Sequence, residues 1–199
     1  MFSIKENLQF ININQDYLKY MNSFCSEVYY KPTNYDNKPY LGILLNQNGI
    51  EYVIPLTSAK EKHKSWKNVE SDRFLIFENS VISAISQRAI FIENKDGTVK
   101  HILSAINLKK MFPVNECVYS KVDLIIGQND SIETKNYKNL MNKEFSFCVG
   151  ILDSILHKVT KLYDKQMKTR KIIPFCCDFK LLEEKCNEWT DIRQEKCCV

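Results

Sequence analysis

The sequence predicts an α+β domain built on a curved antiparallel sheet. Two short segments, Asn46-Gln47-Asn48-Gly49 and Asn94-Lys95-Asp96-Gly97, each lie between two strand-like runs and are typical of tight hairpins. From about Thr134 the apolar residues recur every three or four positions, which is the period of an amphipathic helix. Because the strand patterns come first and the helical patterns last, the α+β class fits the order of elements best.

The first strand and the first helix are predicted next to each other. Residues 8–14 alternate apolar and polar side chains, as a half-buried strand does. Asp16 then serves as the N-cap, because its carboxylate can accept a hydrogen bond from a backbone N–H group of the first turn. The predicted inward face of this helix consists of Tyr17, Leu18, Met21, Phe24, Cys25 and Val28. A polar loop over 29–38 leads from the helix to the sheet.

The remaining strands follow in order along the chain. Strand-like runs lie at 40–45, 50–56, 73–77, 89–92, 98–103 and 118–126. Residues 80–88 match neither the strand nor the helix pattern. Residues 105–114 predict a turn or the start of a short strand, which Pro113 ends.

Helices complete the chain. One amphipathic helix is predicted over 147–163, and a last helix over 178–189. We expect the helical part to cover about 134–190. No internal repeat and no low-complexity linker divides the chain, so one domain over 1–199 is expected.

The composition narrows the class of protein. A chain of 199 residues with 44% hydrophobic and 26% charged residues can bury one sizeable core. The net charge of +4 permits binding to a polyanion without requiring it. The first residues lack the apolar core of a signal peptide, and no apolar run is long enough to span a membrane, so we expect a cytoplasmic protein. None of the eight cysteines forms a C-x-x-C pair, which argues against a structural zinc site.

The segment after the predicted strand at 50–56 carries the densest chemistry. Two hydroxyls, two ammonium groups and an imidazole fall within seven residues: Thr57, Ser58, Lys60, Lys62 and His63. Hydroxyls and ammonium groups can donate to phosphoryl oxygens, and a histidine can move a proton near neutral pH. In an extended segment, Ser58 and Lys60 would point to the same side. The alternative is a polar turn, in which Thr57 and Ser58 cap a helix and His63 is a capping or packing residue.

Tyrosines and lysines elsewhere in the chain suggest contacts with RNA. Lys38 and Tyr40 precede the first hairpin strand, and Tyr35 lies in the preceding loop. Rings that stack on bases, together with cations that meet the backbone, are how single-stranded RNA is held. Further candidate phosphate contacts are Lys62, Lys64, Lys158, Lys161, Lys165 and Lys168. The last four recur at helical spacing, and the alternative is a solvated helix surface.

The chemistry of the predicted site does not call for a metal. There is no HExxH motif, no P-loop and no pair of carboxylates near Ser58, so we expect neither a metal nor a cofactor. The route open to such a site is attack of a ribose 2′-OH on the adjacent phosphorus, which requires RNA. The expected products carry a 2′,3′-cyclic phosphate and a 5′-OH.

These residues also resemble a known family. The runs Lys38-Pro39-Tyr40-Leu41-Gly42-Ile43 and Tyr52-Val53-Ile54-Pro55-Leu56-Thr57-Ser58-Ala59-Lys60, with His63, resemble the ToxN/AbiQ family of type III toxin–antitoxin endoribonucleases. Further similarity lies at 17–20, 106–114 and 177–185.

The resemblance implies a highly twisted antiparallel sheet flanked by helices, related to the MazF/Kid toxins with their SH3-like barrel. It implies metal-independent RNA cleavage and inhibition by a repeat-derived RNA pseudoknot within a closed RNA–protein assembly. It also implies phage defence by abortive infection. By the family pattern Ser58 is the nucleophile-side or proton-handling hydroxyl, Lys60 stabilises charge, and Thr57, Lys38 and Tyr35 supply supporting contacts.

Some positions depart from the family pattern. Ala59 replaces the usual proline, Cys25 stands where acidic residues are common, and the segment at about 80–100 has the length of an insertion. Two other functions remain open at this point. One is a non-catalytic RNA-binding module, and the other is a protein-interaction domain in which the polar segment only caps a helix.

Overall fold

The computed structural model describes residues 1–5, 7–31 and 41–197, without the side chains of residue 41 and of 191–197. The chain forms two compact units. The first comprises Met1–Pro55, Leu108–Val122 and Ile155–Val199, and the second comprises Leu56–Asn107 and Asp123–Ser154. That the whole chain acts as one domain stays a prediction.

Eight strands and four helices are found among the described residues, and every strand pairing is antiparallel. The strands are β1 (Phe10–Ile13), β2 (Leu41–Gln47), β3 (Ile50–Ser58), β4 (Arg73–Val81), β5 (Ile90–Glu93), β6 (Thr98–Asn107), β7 (Phe112–Val114) and β8 (Tyr119–Lys121). The helices are α1 (Gln15–Phe24), α2 (Ile132–Gly150), α3 (Leu152–Thr169) and α4 (Phe179–Cys197). This order confirms the predicted α+β class.

The first unit contains β1 paired with both β2 and β8, while the early part of β3 pairs with β2 and β7. Three tyrosines, of which Tyr17 and Tyr52 are buried and Tyr163 is half-buried, join its helices to its strands. The Tyr17 hydroxyl on α1 donates to the carbonyl of Pro113 on β7 at 2.8 Å. The Glu183 carboxylate on α4 accepts hydrogen bonds from Tyr52 on β3 at 2.6 Å and from Tyr163 on α3 at 2.8 Å. These bonds satisfy polar groups that would otherwise be costly to bury.

The second unit is organised around β6. This strand pairs with β4, with β5 and with the last three residues of β3. One side of this sheet holds a cluster of the buried residues Leu75, Ile102 and Ala105. Helix α2 packs against β4 and β6. The pairing of β4 with β6 shifts register between Ile76 and Phe77, as at a β-bulge.

Both predicted hairpins are confirmed. Asn48 and Gly49 have φ angles of 52° and 88°, so both turn residues are left-handed, as a two-residue hairpin turn requires. Gly97 has a φ of 79° in the turn between β5 and β6. The Asp96 carboxylate accepts a hydrogen bond from the Thr98 backbone N–H at 3.0 Å, which closes that turn.

The details of α1 differ from the prediction. The N-cap is Asn14 rather than Asp16, because the Asn14 side chain accepts a hydrogen bond from the Asp16 backbone N–H at 2.8 Å. Asp16 lies in the first turn, where its charge favours the helix dipole. Phe24, predicted to face inward, is 40% exposed, and its ring packs on Tyr20 at 5.0 Å.

The boundaries of other elements also differ from the predicted ones. The predicted helix over 147–163 is divided, because the chain leaves helical geometry at Ile151 between α2 and α3. The last strand, β8, has three residues rather than the predicted run over 118–126. Residues 80–88 contain the end of β4 and the 3-10 helix Ile82–Ala84. Among the described helices, none combines the length with the apolar composition that a membrane span requires.

Candidate active site

The Ser58–Lys60 segment continues the extended geometry of β3 past its last residue. Ser58 pairs with Ser104 of β6, and the Ala59 backbone N–H donates to the carbonyl of Leu103 at 3.2 Å. Lys60 is extended as well, with φ −140° and ψ 156°. Ala59 packs against the cluster of Leu75, Ile102 and Ala105, whereas Ser58 and Lys60 are exposed. Since side chains alternate along an extended chain, Ser58 and Lys60 lie on the same side.

Thr57 lies on the opposite face of β3 from Ser58. It pairs directly with Ala105, whose side chain is 2% exposed in the apolar cluster, and Thr57 itself is half-buried. Residues directly opposite each other in an antiparallel ladder share a face. The two neighbouring hydroxyls therefore point to different sides of the sheet.

His63 is buried beneath the backbone of Lys60. It lies in the 3-10 helix Glu61–Ser65 and is 1% exposed. The ring Nδ1 accepts a hydrogen bond from the Lys60 backbone N–H at 3.1 Å, and the backbone N–H of His63 donates to the Lys60 carbonyl at 2.8 Å. Nδ1 must be unprotonated to accept, so the ring proton of the neutral imidazole is on Nε2. This arrangement favours the capping alternative for His63 over proton transfer to a bound substrate.

The pKa of His63 is lowered from its usual value. Burial is the main cause, and the charges of Lys62, Lys60 and Arg73 act in the same direction. Each of these disfavours the imidazolium. At neutral pH the ring therefore keeps the lone pair on Nδ1 that holds the Lys60 backbone.

Trp66 supports His63 from the side and was not predicted from the sequence. The two ring centroids are 4.5 Å apart. The Arg73 guanidinium lies 4.2 Å from the Trp66 ring centre, and its Nε donates to Glu70 at 2.8 Å. Trp66 also packs on the apolar cluster that Ala59 contacts. The backbone that presents Lys60 is thus anchored by a histidine, an indole and a paired arginine.

Two more lysines of the predicted site lie on the same short helix. Lys62 and Lys64 are exposed, as Lys60 is. The Lys62 ammonium is 5.7 Å from the Trp66 ring centre, and the Lys64 ammonium is 2.9 Å from the Glu61 carboxylate. Three ammonium groups therefore lie on the surface within five residues of chain.

A buried carboxyl group lies on the α2 side of Ser104, the residue that pairs with Ser58. Ser104 is 1% exposed, and Glu144 of α2 is 5% exposed. Burial raises the pKa of Glu144 to about 7. The Ser104 hydroxyl is close enough to lower that pKa in part, although its geometry falls short of a full hydrogen bond. The sequence gives no signal for this pair, because the two residues lie on different elements forty positions apart.

The structure does not place the other predicted RNA-contact residues beside the Ser58–Lys60 segment. Tyr35, Lys38 and Tyr40 lie outside the described residues. On α3, the predicted lysines Lys161, Lys165 and Lys168 are exposed. Lys158 is half-buried. All four belong to the first unit, whereas Ser58 belongs to the second.

Among the residues that the structure describes, no group of three or more His, Cys, Asp or Glu side chains could hold a metal ion. The expectation that the protein needs neither metal nor cofactor stays a prediction.

Comparison with known proteins gives the family. The sequence-family model for the toxin ToxN of type III toxin–antitoxin systems matches residues 9–187. Endoribonuclease ToxN of Bacillus thuringiensis subsp. kurstaki is 29% identical over 199 residues, which cover 96% of this chain and 89% of that protein. Endoribonuclease AbiQ of Lactococcus lactis subsp. lactis is 26% identical over 186 residues, which cover 92% of this chain and 89% of that protein.

A solved structure from work on selective toxin inhibition by a non-coding RNA pseudoknot in type III systems has a TM-score of 0.64 and 26% identity. The alignment covers 93% of this chain and 99% of that one. The resemblance to the ToxN/AbiQ family is confirmed by these matches. Since the family model spans most of the sequence, the chain belongs to the ToxN family of type III toxin–antitoxin toxins.

Proposed function

We propose that the chain is an endoribonuclease toxin that cleaves RNA without a metal ion, by attack of a ribose 2′-OH on the adjacent phosphorus. The products carry a 2′,3′-cyclic phosphate and a 5′-OH. One observation carries the proposal: Ser58 and Lys60 lie exposed on the same side of an extended segment. The backbone of this segment is held by the hydrogen bond from the Lys60 N–H to the buried His63 ring. The endoribonucleases ToxN and AbiQ among the relatives support the same reaction.

Each group has a role that its position allows. The Lys60 ammonium stabilises the extra negative charge that develops on the phosphoryl oxygens in the transition state. The Ser58 hydroxyl donates to the phosphoryl group or passes on the proton of the 2′-OH. Thr57 is on the other face and acts as a supporting residue rather than by contact with the same oxygen. His63 is a positioning residue, because its buried ring holds the Lys60 backbone.

The proposed RNA partner is a repeat-derived pseudoknot antitoxin that inhibits the toxin in a closed RNA–protein assembly. Support comes from the solved structure of a toxin under inhibition by a non-coding RNA pseudoknot. The exposed Lys62, Lys64 and α3 lysines would meet its phosphates, and Tyr35, Lys38 and Tyr40 would add contacts by the family pattern. We further propose the MazF/Kid-like barrel fold and a role in phage defence by abortive infection, both on the family resemblance.

The test is RNA cleavage by the purified full-length chain in the presence of EDTA, followed by end mapping of the fragments. Ser58→Ala and Lys60→Ala should each lower the cleavage rate by about 100-fold or more, as when a transition-state donor is removed. Ser65→Ala and Lys67→Ala are matched controls, since both residues are exposed in the same segment, and their rates should stay near wild type.

Two results would contradict the proposal. One is cleavage that continues at the wild-type rate in Ser58→Ala and Lys60→Ala. The other is RNA binding without any cyclic-phosphate ends, which would support the alternative of a non-catalytic RNA-binding module.

A further inference from the structure

Three cysteines meet in the first unit where the end of α1 approaches the start of α4. Cys25 follows α1, and its backbone N–H donates to the Met21 carbonyl at 3.0 Å. Cys176 and Cys177 lie just before α4, from which Asp178 separates them, and the Cys177 N–H donates to the Lys109 carbonyl at 2.8 Å. The segment after Cys25 approaches the same turn, because the Glu27 carboxylate pairs with Lys110. The thiols of Cys25 and Cys177 are close enough to interact with each other. Two of the eight thiols are thus adjacent without a bond between them.

The two contacting thiols have different access to solvent. Cys25 is partly exposed, whereas Cys177 is fully buried and Cys176 is 3% exposed. A reagent from solvent would therefore meet Cys25 first. Because Cys177 has no exposure to solvent, it can react only with a neighbouring protein group such as the Cys25 sulfur.

The surroundings favour a negative charge on the Cys25 sulfur. Its pKa is lowered to about 6, chiefly because the Cys177 thiol donates to it, while burial opposes this shift. The nearby backbone N–H groups of Asp178, Glu27 and Val28 lower the pKa of Cys25 further. The same contact holds the pKa of Cys177 well above its usual range. The charged groups nearby are the ammonium groups of Lys109 and Lys110, the latter paired with the Glu27 carboxylate.

We propose that Cys25 is an oxidation site for hydroperoxides and that Cys177 is its resolving thiol, so that oxidation yields a Cys25–Cys177 disulfide. A reactive thiolate that is open to solvent and next to a second thiol is the arrangement that such chemistry uses. This site goes beyond the proposed ribonuclease function and does not depend on it.

The reaction balances in two steps. The Cys25 thiolate attacks one oxygen of the hydroperoxide, the O–O bond breaks, and the leaving alkoxide or hydroxide takes a proton from water. Cys25 is then a sulfenic acid, and the peroxide has been reduced to an alcohol or to water. The Cys177 thiolate next attacks the Cys25 sulfur, and hydroxide leaves and is protonated to water. Once Cys25 no longer carries a negative charge, the main barrier to ionising Cys177 is removed.

The first test is hydrogen peroxide treatment of the full-length chain, followed by peptide mapping. A Cys25–Cys177 cross-link that dithiothreitol reverses is expected. Cys25→Ser should abolish it, and Cys177→Ser should leave a sulfenic acid at Cys25 that dimedone traps. Cys117→Ser is the matched control, because Cys117 is exposed in the same unit and its loss should change nothing.

The second test needs no variant, so it stands even if a buried substitution disturbs folding. Iodoacetamide at pH 6 should alkylate Cys25 about tenfold faster than a thiol of ordinary pKa, because its larger thiolate fraction outweighs its weaker nucleophilicity. Cys117 is the exposed comparator in the same digest. Alkylation of Cys25 no faster than Cys117 would overturn the proposal. So would oxidation of the wild-type chain that ends as a sulfinic acid, or a disulfide of Cys25 with Cys176.

Discussion

The buried carboxyl of Glu144 should make the stability of the protein fall as the pH rises. Glu144 is 5% exposed on α2, and burial raises the pKa of its carboxyl from 4.5 to about 7 in the folded state. Between these two values the folded state binds more protons than the unfolded state. The free energy of unfolding therefore decreases as the pH rises through this range. The loss is nearly complete above pH 7.

The size of the effect follows from the shift. A difference of about 2.5 pKa units corresponds to about 3 kcal/mol when Glu144 is fully ionised in both states. Most of it, about 2 to 3 kcal/mol, falls between pH 5 and pH 8. Glu144→Gln removes the titrating group. Relative to wild type, the variant should therefore gain about 2 to 3 kcal/mol of stability from pH 5 to pH 8.

The assay is urea unfolding followed by circular dichroism at both pH values, for wild type and variant. Taking the difference between the two chains removes the contribution of His63, which is present in both. Glu133→Gln is the matched control, since Glu133 is exposed in the first turn of the same helix. Parallel stability curves for wild type and Glu144→Gln would refute the reasoning, because they would mean that Glu144 ionises as easily folded as unfolded.

Three further predictions concern single side chains. His63→Asn should keep most of the cleavage rate, because the asparagine amide oxygen can accept the hydrogen bond from the Lys60 N–H but cannot transfer a proton. His63→Ala loses this acceptor and should lower the free energy of unfolding by about 1 kcal/mol or more in a urea titration. Gly42→Ala should cost about 1–3 kcal/mol in the same titration, because a Cβ there would lie 2.2 Å from Cγ2 of Val53. Lys62→Ala should weaken RNA binding and lower the slope of log affinity against log salt by about 1, measured by filter binding.

Each of these has a contrary outcome. A His63→Asn chain as inactive as Ser58→Ala would restore His63 as a proton-transfer residue. An unchanged Gly42→Ala midpoint would mean that β2 and β3 separate at no cost. An unchanged salt slope for Lys62→Ala would place the RNA backbone elsewhere.

The parts of the fold that depend on local chemistry were predictable. A hairpin turn needs residues that tolerate positive φ, so the Asn-Gly and Asp-Gly pairs located both hairpins. The break at Ile151 was missed, because the apolar spacing continues across it and Gly150, the last residue of α2, was the only local signal for a helix end. The N-cap of α1 was two residues off, since Asn14 and Asp16 are both good caps and only the backbone geometry separates them.

In the candidate site, too, local geometry was predictable and tertiary packing was not. Ser58 and Lys60 are two positions apart in one extended segment, so their shared side followed from strand geometry alone. The burial of His63 depends on Trp66 and Arg73, and the Ser104–Glu144 pair depends on the register of β6 and the packing of α2. The His63–Trp66 contact is local, but motif spacing does not show which way either ring turns. The Ser104–Glu144 pair joins residues forty positions apart, which neither periodicity nor motif spacing encodes.

The most direct test of the central claim is cleavage of an RNA that carries a single 2′-deoxy nucleotide on the 5′ side of its mapped cut. If Ser58 and Lys60 assist the attack of the ribose on its own phosphate, that bond should stay intact in EDTA while the all-ribose RNA is cut to a cyclic phosphate. Cleavage of the 2′-deoxy bond, or fragments that end in a 3′-OH and a 5′-phosphate, would contradict the account.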